Sequence, residues 1–240
     1  MSFDLEIARV RSSWRGRPLP AGEGKRKLVH AAMGSLALLF PYLTWPQAAL
    51  CAIAAFLFNW QVLPQLLGHR LASARAGASD RGVLLYPLVV LALILLFRHD
   101  LGLAAWGWGV LAFGDAAAGL VGQKWGRRPL PWNPHKSWEG LAAFVVAGGL
   151  GGGGLAAWYA LKRGQAVLDF PDLPAGWLLW LAVPLALAAL LESLPHGLDD
   201  NILPAIAVPA VMVLAAGSPG SASGVIALPL VVNTGCAVLA

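Results

Sequence analysis

Long apolar stretches recur along this chain, and they leave little choice of architecture. At about 17–25 residues per membrane span, eight segments qualify: roughly 28–44, 46–67, 83–97, 101–122, 138–160, 176–192, 201–217 and 223–239. Backbone N–H and C=O groups in lipid find no water, so each segment is expected to bond internally as a helix. The predicted fold is an all-α, polytopic transmembrane bundle of about eight spans, seven to nine by this criterion. The third and seventh segments are short or contain proline. Pro184, Pro204, Pro209 and Pro229 fall within the later segments, where proline kinks a membrane helix and its neighbours re-satisfy the freed carbonyls.

Composition agrees. Charged residues make up 12% of the chain, against roughly 25% in soluble domains. Residues 1–24 are expected to form a basic cytoplasmic N-terminal segment, and 25–240 a single transmembrane catalytic domain. These 240 residues hold no stretch for a separate soluble catalytic domain, so chemistry must use helix ends and short loops. The first apolar segment reads as a retained helix rather than a signal peptide. Cys51 and Cys236 lie apart in apolar segments and have no metal-ligand spacing, which argues against redox chemistry.

Lysine and arginine set the orientation. Fourteen of the seventeen fall in residues 1–27 and in the loops near 68–82 and 123–137. Arg98, Lys162 and Arg163 fall on the other side. The bias predicts cytoplasmic termini, and the basic residues imply contact with anionic lipid rather than nucleic acid. It also places the 192–200 loop with the two basic loops, so every candidate catalytic group faces the cytoplasm.

Four constellations could carry chemistry. The first is Asp115, within the apolar segment 101–122, which has no basic residue. A carboxylate at that depth is costly unless paired, protonated or facing a polar cavity. Gly119, Gly122 and Gly126 follow at helical spacing, giving a face that a nucleotide or a neighbouring helix could approach. Lys27 and His30 form the second, one turn apart and on one face. Positive-inside anchoring accounts for Lys25, Arg26 and Lys27, but not for a histidine one turn into a helix. The third is the loop-to-helix turn after Gly126-Arg127-Arg128. There Ser137 suits an N-cap, Glu139 suits the first turn, and Lys136 joins exposed helical N–H groups as a phosphate contact. The fourth is Glu192, Asp199, Asp200 and Asn201. It reads either as a solvated acidic loop with Asp200 as a cap, or as hard oxygen donors for Mg²⁺ beside phosphates. With the basic loop and Asp115 on the same side, the metal reading is preferred. No Walker A motif, zinc signature or nucleophile elbow is present. The glycine run 148–154 reads as close helix packing.

Taken together, these residues predict a membrane-embedded enzyme acting on phosphates with Mg²⁺. The same segments resemble the polyprenol kinase family: phytol, farnesol and dolichol kinases and CTP-dependent diacylglycerol kinases. The matching pieces are Arg26-Lys27-Leu28-Val29-His30, Gly114-Asp115 through Gly122, Lys136-Ser137-Trp138-Glu139-Gly140, and Glu192-Ser193-Leu194-Pro195 followed by Asp199-Asp200-Asn201. The resemblance implies transfer of the γ-phosphoryl group of a nucleoside triphosphate, often CTP, to a lipid alcohol. It implies Asp115, Asp199 and Asp200 at Mg²⁺, with Glu192 and Asn201 as further donors. It places Lys136 on phosphate with Arg127 or Arg128 at the rim, and makes Lys27 and His30 phosphate contacts or aids to deprotonating the alcohol. Phosphatidate cytidylyltransferases carry a similar central stretch and a longer C-terminal signature with a Lys-Asp pair and an Asp-Arg pair; here no Lys-Asp pair occurs, and the one Asp-Arg pair, Asp80-Arg81, precedes the central stretch. The large N-terminal membrane region of dolichol kinases is not among these residues, so the smaller phytol or farnesol type is the nearer resemblance. The rival readings are a cytidylyltransferase acting on a lipid phosphate and a transporter using Asp115 as an ion relay.

Overall fold

The computed structural model describes residues 23–65, 81–164 and 176–194, with side chains undescribed at 23, 81–82 and 176–184. Among the described residues the regular elements are all helical. They are α1 (Glu23–Gly34), α2 (Trp45–Leu57), α3 (Arg81–Leu96), α4 (Leu101–Gly109), α5 (Asp115–Trp125), α6 (Trp138–Arg163) and α7 (Gly176–Ser193). The two segments near 201–217 and 223–239 lie outside the described residues, as do the N-terminal 22 residues.

Among the described residues, three helices are long and apolar enough to cross a membrane: Trp45–Gln65, Leu101–Trp125 and Trp138–Arg163. The third expected span is a shorter apolar helix, as its length foretold. The first, 28–44, is not one α-helix. It changes at Ser35 to a 3₁₀ stretch, Ser35–Tyr42, which contains Pro41. Proline lacks the N–H for an i→i−4 bond and crowds the preceding turn. Leu28, Val29, Leu50, Val146, Leu150 and Leu161 point outward, all more than half exposed. Surface leucines and valines in such number suit lipid rather than water.

Local signals set the helix boundaries. Thr44 and Gln47 close a capping box on α2. Asp100 caps α4 by accepting from the Gly102 N–H at 2.9 Å. Ser137 caps α6 by accepting from the Gly140 N–H at 3.1 Å, as its position before Trp138 suggested. At the other end of α6, Gly164 takes φ 65°, the left-handed conformation that closes a helix.

The centre of the fold is an antiparallel pair, α4–α5 against α6. A β-carbon on Gly102 would meet Tyr159, and one on Gly109 would lie 2.6 Å from the Gly152 Cα. Gly148 faces Gly114, and Gly140 faces Gly122. The paired numbers fall in one chain segment as they rise in the other, so the register is antiparallel over the whole length. Small residues let the two backbones approach this closely. The glycine run therefore serves packing at Gly148, Gly149, Gly151 and Gly152, whereas Gly153 and Gly154 face open space.

Two apolar clusters flank this pair. One joins Phe40, Ala48, Ala52, Leu93, Ile94, Trp108 and Leu111. The other joins Trp106, Val110, Phe144, Leu185, Ala188 and Ala189, seating α7 on α6. Between α4 and α5 the chain makes a π-turn, Val110–Gly114. Such turns insert a residue into the helical ladder and gather at functional sites. Here α1 packs across the turn, and Asp115 is the next residue in the chain.

Candidate functional site

At one end of the α5–α6 pair is a cavity of about 190 Å³. Its wall draws on α1 (Lys27), α5 (Asp115, Gly119, Gly122 and Gln123), the loop before α6 (His135, Lys136 and Ser137), α6 (Gly140 and Phe144) and the end of α7 (Glu192 and Ser193). The volume lies below the roughly 300–1,000 Å³ of most small-molecule sites, which suits a phosphate chain better than a whole nucleotide.

Asp115 is ten residues from the end of α5, so it lies about 15 Å along the helix from the connecting loop. Its partner is Lys27, 88 residues away, which donates to both carboxylate oxygens at 2.8 and 2.7 Å. Asp115 is thus both paired and facing a polar cavity, two of the conditions that make an intramembrane acid tolerable. Gly119, one turn along α5, makes room for the approach, since a β-carbon there would lie 2.7 Å from Lys27 Cε.

His30 shares the face of Lys27, and its Nε2 lies 3.8 Å from the same Asp115 oxygen. It does not line the cavity. The imidazole packs on Tyr86 with ring centroids 4.4 Å apart. The Tyr86 hydroxyl accepts from Trp108 Nε1 at 2.7 Å. His30 therefore stands beside Asp115 with an aromatic buttress from α3 and α4.

The loop after α5 is held mainly by its own backbone. Leu130 N–H bonds the Lys136 carbonyl, and Trp138 N–H bonds the Arg128 carbonyl, both at 2.9 Å. The Glu139 carboxylate accepts from the N–H groups of Arg127 and Arg128 at 3.1 and 3.3 Å. Glu139 thus closes the loop from outside the cavity. Arg127 and Arg128 are exposed and are not part of its wall.

Lys136 points the other way, into the cavity. Its ammonium meets the Glu192 carboxylate at 2.8 Å and also bonds the Glu192 carbonyl. A latch fixes this meeting. Asn133 donates to the Ser193 carbonyl at 3.1 Å, and Trp132 Nε1 donates to the Ser193 hydroxyl at 3.0 Å. Asn133 and Ser193 are both buried.

The structure therefore gathers Lys27, Asp115, Gly119, Gly122, Lys136, Ser137 and Glu192 around one cavity, with His30 behind Asp115. Asp199, Asp200 and Asn201 lie outside the described residues. Sequence reasoning did not single out Gln123, Tyr86 or the Asn133–Ser193 latch. Gln123 had a signal, because it stands eight residues after Asp115 and so shares its helical face. Tyr86 had none, as only tertiary packing brings α3 to His30.

Asp115 and Glu192 are the two described carboxylates lining the cavity. No group of three His, Cys, Asp or Glu residues is gathered among the described residues. Mg²⁺ is usually held by one or two carboxylates plus substrate phosphates, so the donor set fits that ion in company with a phosphate ligand.

Known proteins resemble this chain over part of their length. The chain is 35% identical over 133 residues to a phytol kinase of Synechocystis sp., covering 54% of this chain and 57% of that protein. It is 28% identical over 192 residues to a probable chloroplastic phytol kinase 2 of Glycine max, covering 74% and 60%. The chain is thus similar to phytol kinases over half to four fifths of its length. Phytol kinase 1 of Arabidopsis thaliana matches over 211 residues at 28% identity, covering 80% of this chain and 64% of that kinase. The chain spans about three fifths of the length of these curated relatives. No family model matches it, and neither does any solved structure.

Proposed function

We propose that this protein is a membrane-embedded lipid-alcohol kinase. It transfers the γ-phosphoryl group of a nucleoside triphosphate, CTP by family resemblance, to an isoprenoid alcohol such as phytol or farnesol. The observation that carries the reading is the convergence of Lys27, Asp115, Lys136 and Glu192 on one cavity in a chain related to phytol kinases.

Phosphoryl transfer rests mainly on positioning and on neutralising charge. Lys27 and Lys136 supply cations from two sides of the cavity. The first turn of α6 reaches the wall at Gly140 and Leu141, and a helix N-terminus favours an anion there. Gly119 and Gly122 carry no side chains that would keep a phosphate from the α5 backbone. Asp115 and Glu192 would hold Mg²⁺, joined by Asp199, Asp200 and Asn201 from the following segment. When bound, the ion would offset the charge of the phosphates. Leu130, Leu141 and Phe144 give the cavity an apolar side that suits the first carbons of an isoprenoid. His30 stands 3.8 Å from the Asp115 carboxylate, close enough to act beside it on phosphate or on the alcohol proton. Arg127 and Arg128 stand outside the wall, where they would meet the nucleotide rim or anionic headgroups.

The charge bias of the loops supports a multi-pass protein whose cavity and termini face the cytoplasm, where nucleotides are. Purified protein with γ-labelled CTP and phytol or farnesol is expected to put label into the lipid phase. Label entering lipid only from α-labelled CTP, with phosphatidate as acceptor, would instead establish a cytidylyltransferase.

A further inference from the structure

Among the described residues, the cavity wall carries two lysines and two carboxylates that meet in pairs. Lys27 on α1 meets Asp115 on α5, and Lys136 on the loop meets Glu192 on α7. Each pair joins different elements. The side chains are mostly buried, with exposures of 14% and 16% in the first pair and 24% and 8% in the second.

A partly buried ion pair resists any ligand that satisfies one partner alone, because the other remains as an uncompensated charge. A polyphosphate arriving by itself would draw off both lysines and leave two carboxylates facing it. A divalent cation by itself would draw off both carboxylates and leave two ammonium groups facing it. Arriving together, they satisfy all four side chains.

We propose that the two lysine–carboxylate pairs couple the binding of a divalent cation and a polyphosphate, so that the cavity accepts the two only jointly. The lysines exchange carboxylate for phosphate as the carboxylates exchange ammonium for the metal ion. This deepens the kinase reading of the same cavity and rests on it. Because coupling of this kind is reciprocal, it is open to test from either ligand.

The test is calorimetry on the full chain in detergent, with CTP as probe and no lipid alcohol, so that no turnover occurs. For the wild type, Mg²⁺ is expected to raise CTP affinity about tenfold or more, within the usual span of coupled sites. Glu192→Gln removes the charge opposite Lys136, and Asp115→Asn removes the charge opposite Lys27. Either is expected to bind CTP without metal about tenfold more tightly than the wild type. Lys27→Met is expected to bind Mn²⁺ alone, followed by electron paramagnetic resonance, about tenfold more tightly. Purely structural ion pairs give no such gains. Equal wild-type affinity for CTP with and without Mg²⁺ overturns the coupling, as does the absence of a gain in all three variants. Failure of the wild type to bind CTP in either condition overturns the nucleotide reading as well.

Discussion

Lys27 and Asp115, 88 residues apart in the chain, meet with both carboxylate oxygens engaged at 2.7–2.8 Å. The contact ties α1 to α5 just past the π-turn and fixes one wall of the cavity. In the proposed kinase the same side chains that hold the helices together would also present charge to a ligand.

Breaking the pair from either side is expected to act differently on stability and on activity. Lys27→Met leaves Asp115 without its cation and is expected to cost about 3 kcal/mol, the scale for a broken buried pair. Joining it to Asp115→Asn is expected to recover most of that stability and none of the activity. Thermal unfolding in detergent and a double-mutant cycle measure the first. Phosphoryl transfer to phytol measures the second, with Asp115→Asn alone expected to lose about 100-fold or more. Near-wild-type turnover by the Asn variant would make Asp115 a structural residue.

The glycine run offers a contrast within one turn of helix. A β-carbon on Gly152 would lie 2.8 Å from the Trp106 carbonyl, a backbone atom that cannot turn aside. Gly152→Ala is expected to destabilise by about 1–3 kcal/mol through overpacking. Gly153 has nothing near it, so Gly153→Ala is expected to be neutral or to stabilise by up to about 1 kcal/mol. Parallel melting curves decide, and equal effects would refute the packing register.

The Asn133–Ser193 latch is expected to tune nucleotide binding at a distance from the nucleotide. Asn133→Ala strands a buried carbonyl, at a cost of about 1–3 kcal/mol, and loosens the loop that aims Lys136. Its expected signature is a raised KM for CTP with kcat less affected. A change in kcat alone would separate the latch from Lys136.

Topology gives a fourth test. Cys51 and Cys236 are first replaced by alanine. Arg128→Cys is then expected to label from the cytoplasmic face of sealed vesicles, and Arg163→Cys from the opposite face, because they lie at opposite ends of the antiparallel pair. Labelling of both from one face would break the assignment of the cavity to the cytoplasm.

Much of this was legible in the residues. Helical spans followed from the length of apolar runs, because backbone groups in lipid must bond within their own segment. The cap at Ser137 and the shared face of Lys27 and His30 followed from local geometry, which depends only on residues a turn apart. The first span was misjudged as one helix, since apolarity reports burial in lipid but not the kind of helix that Pro41 permits. Glu139 and Lys136 differ by three positions, yet one closes the loop and the other enters the cavity. Loop backbone bonds make that choice, and composition does not record it. The pairings Lys27–Asp115 and Lys136–Glu192 were decided by the tertiary structure alone. A buried charge demands a partner, and the sequence states that demand. Which of the basic residues answers it depends on where the π-turn, the glycine contacts and the Ser193 latch bring separate helices together.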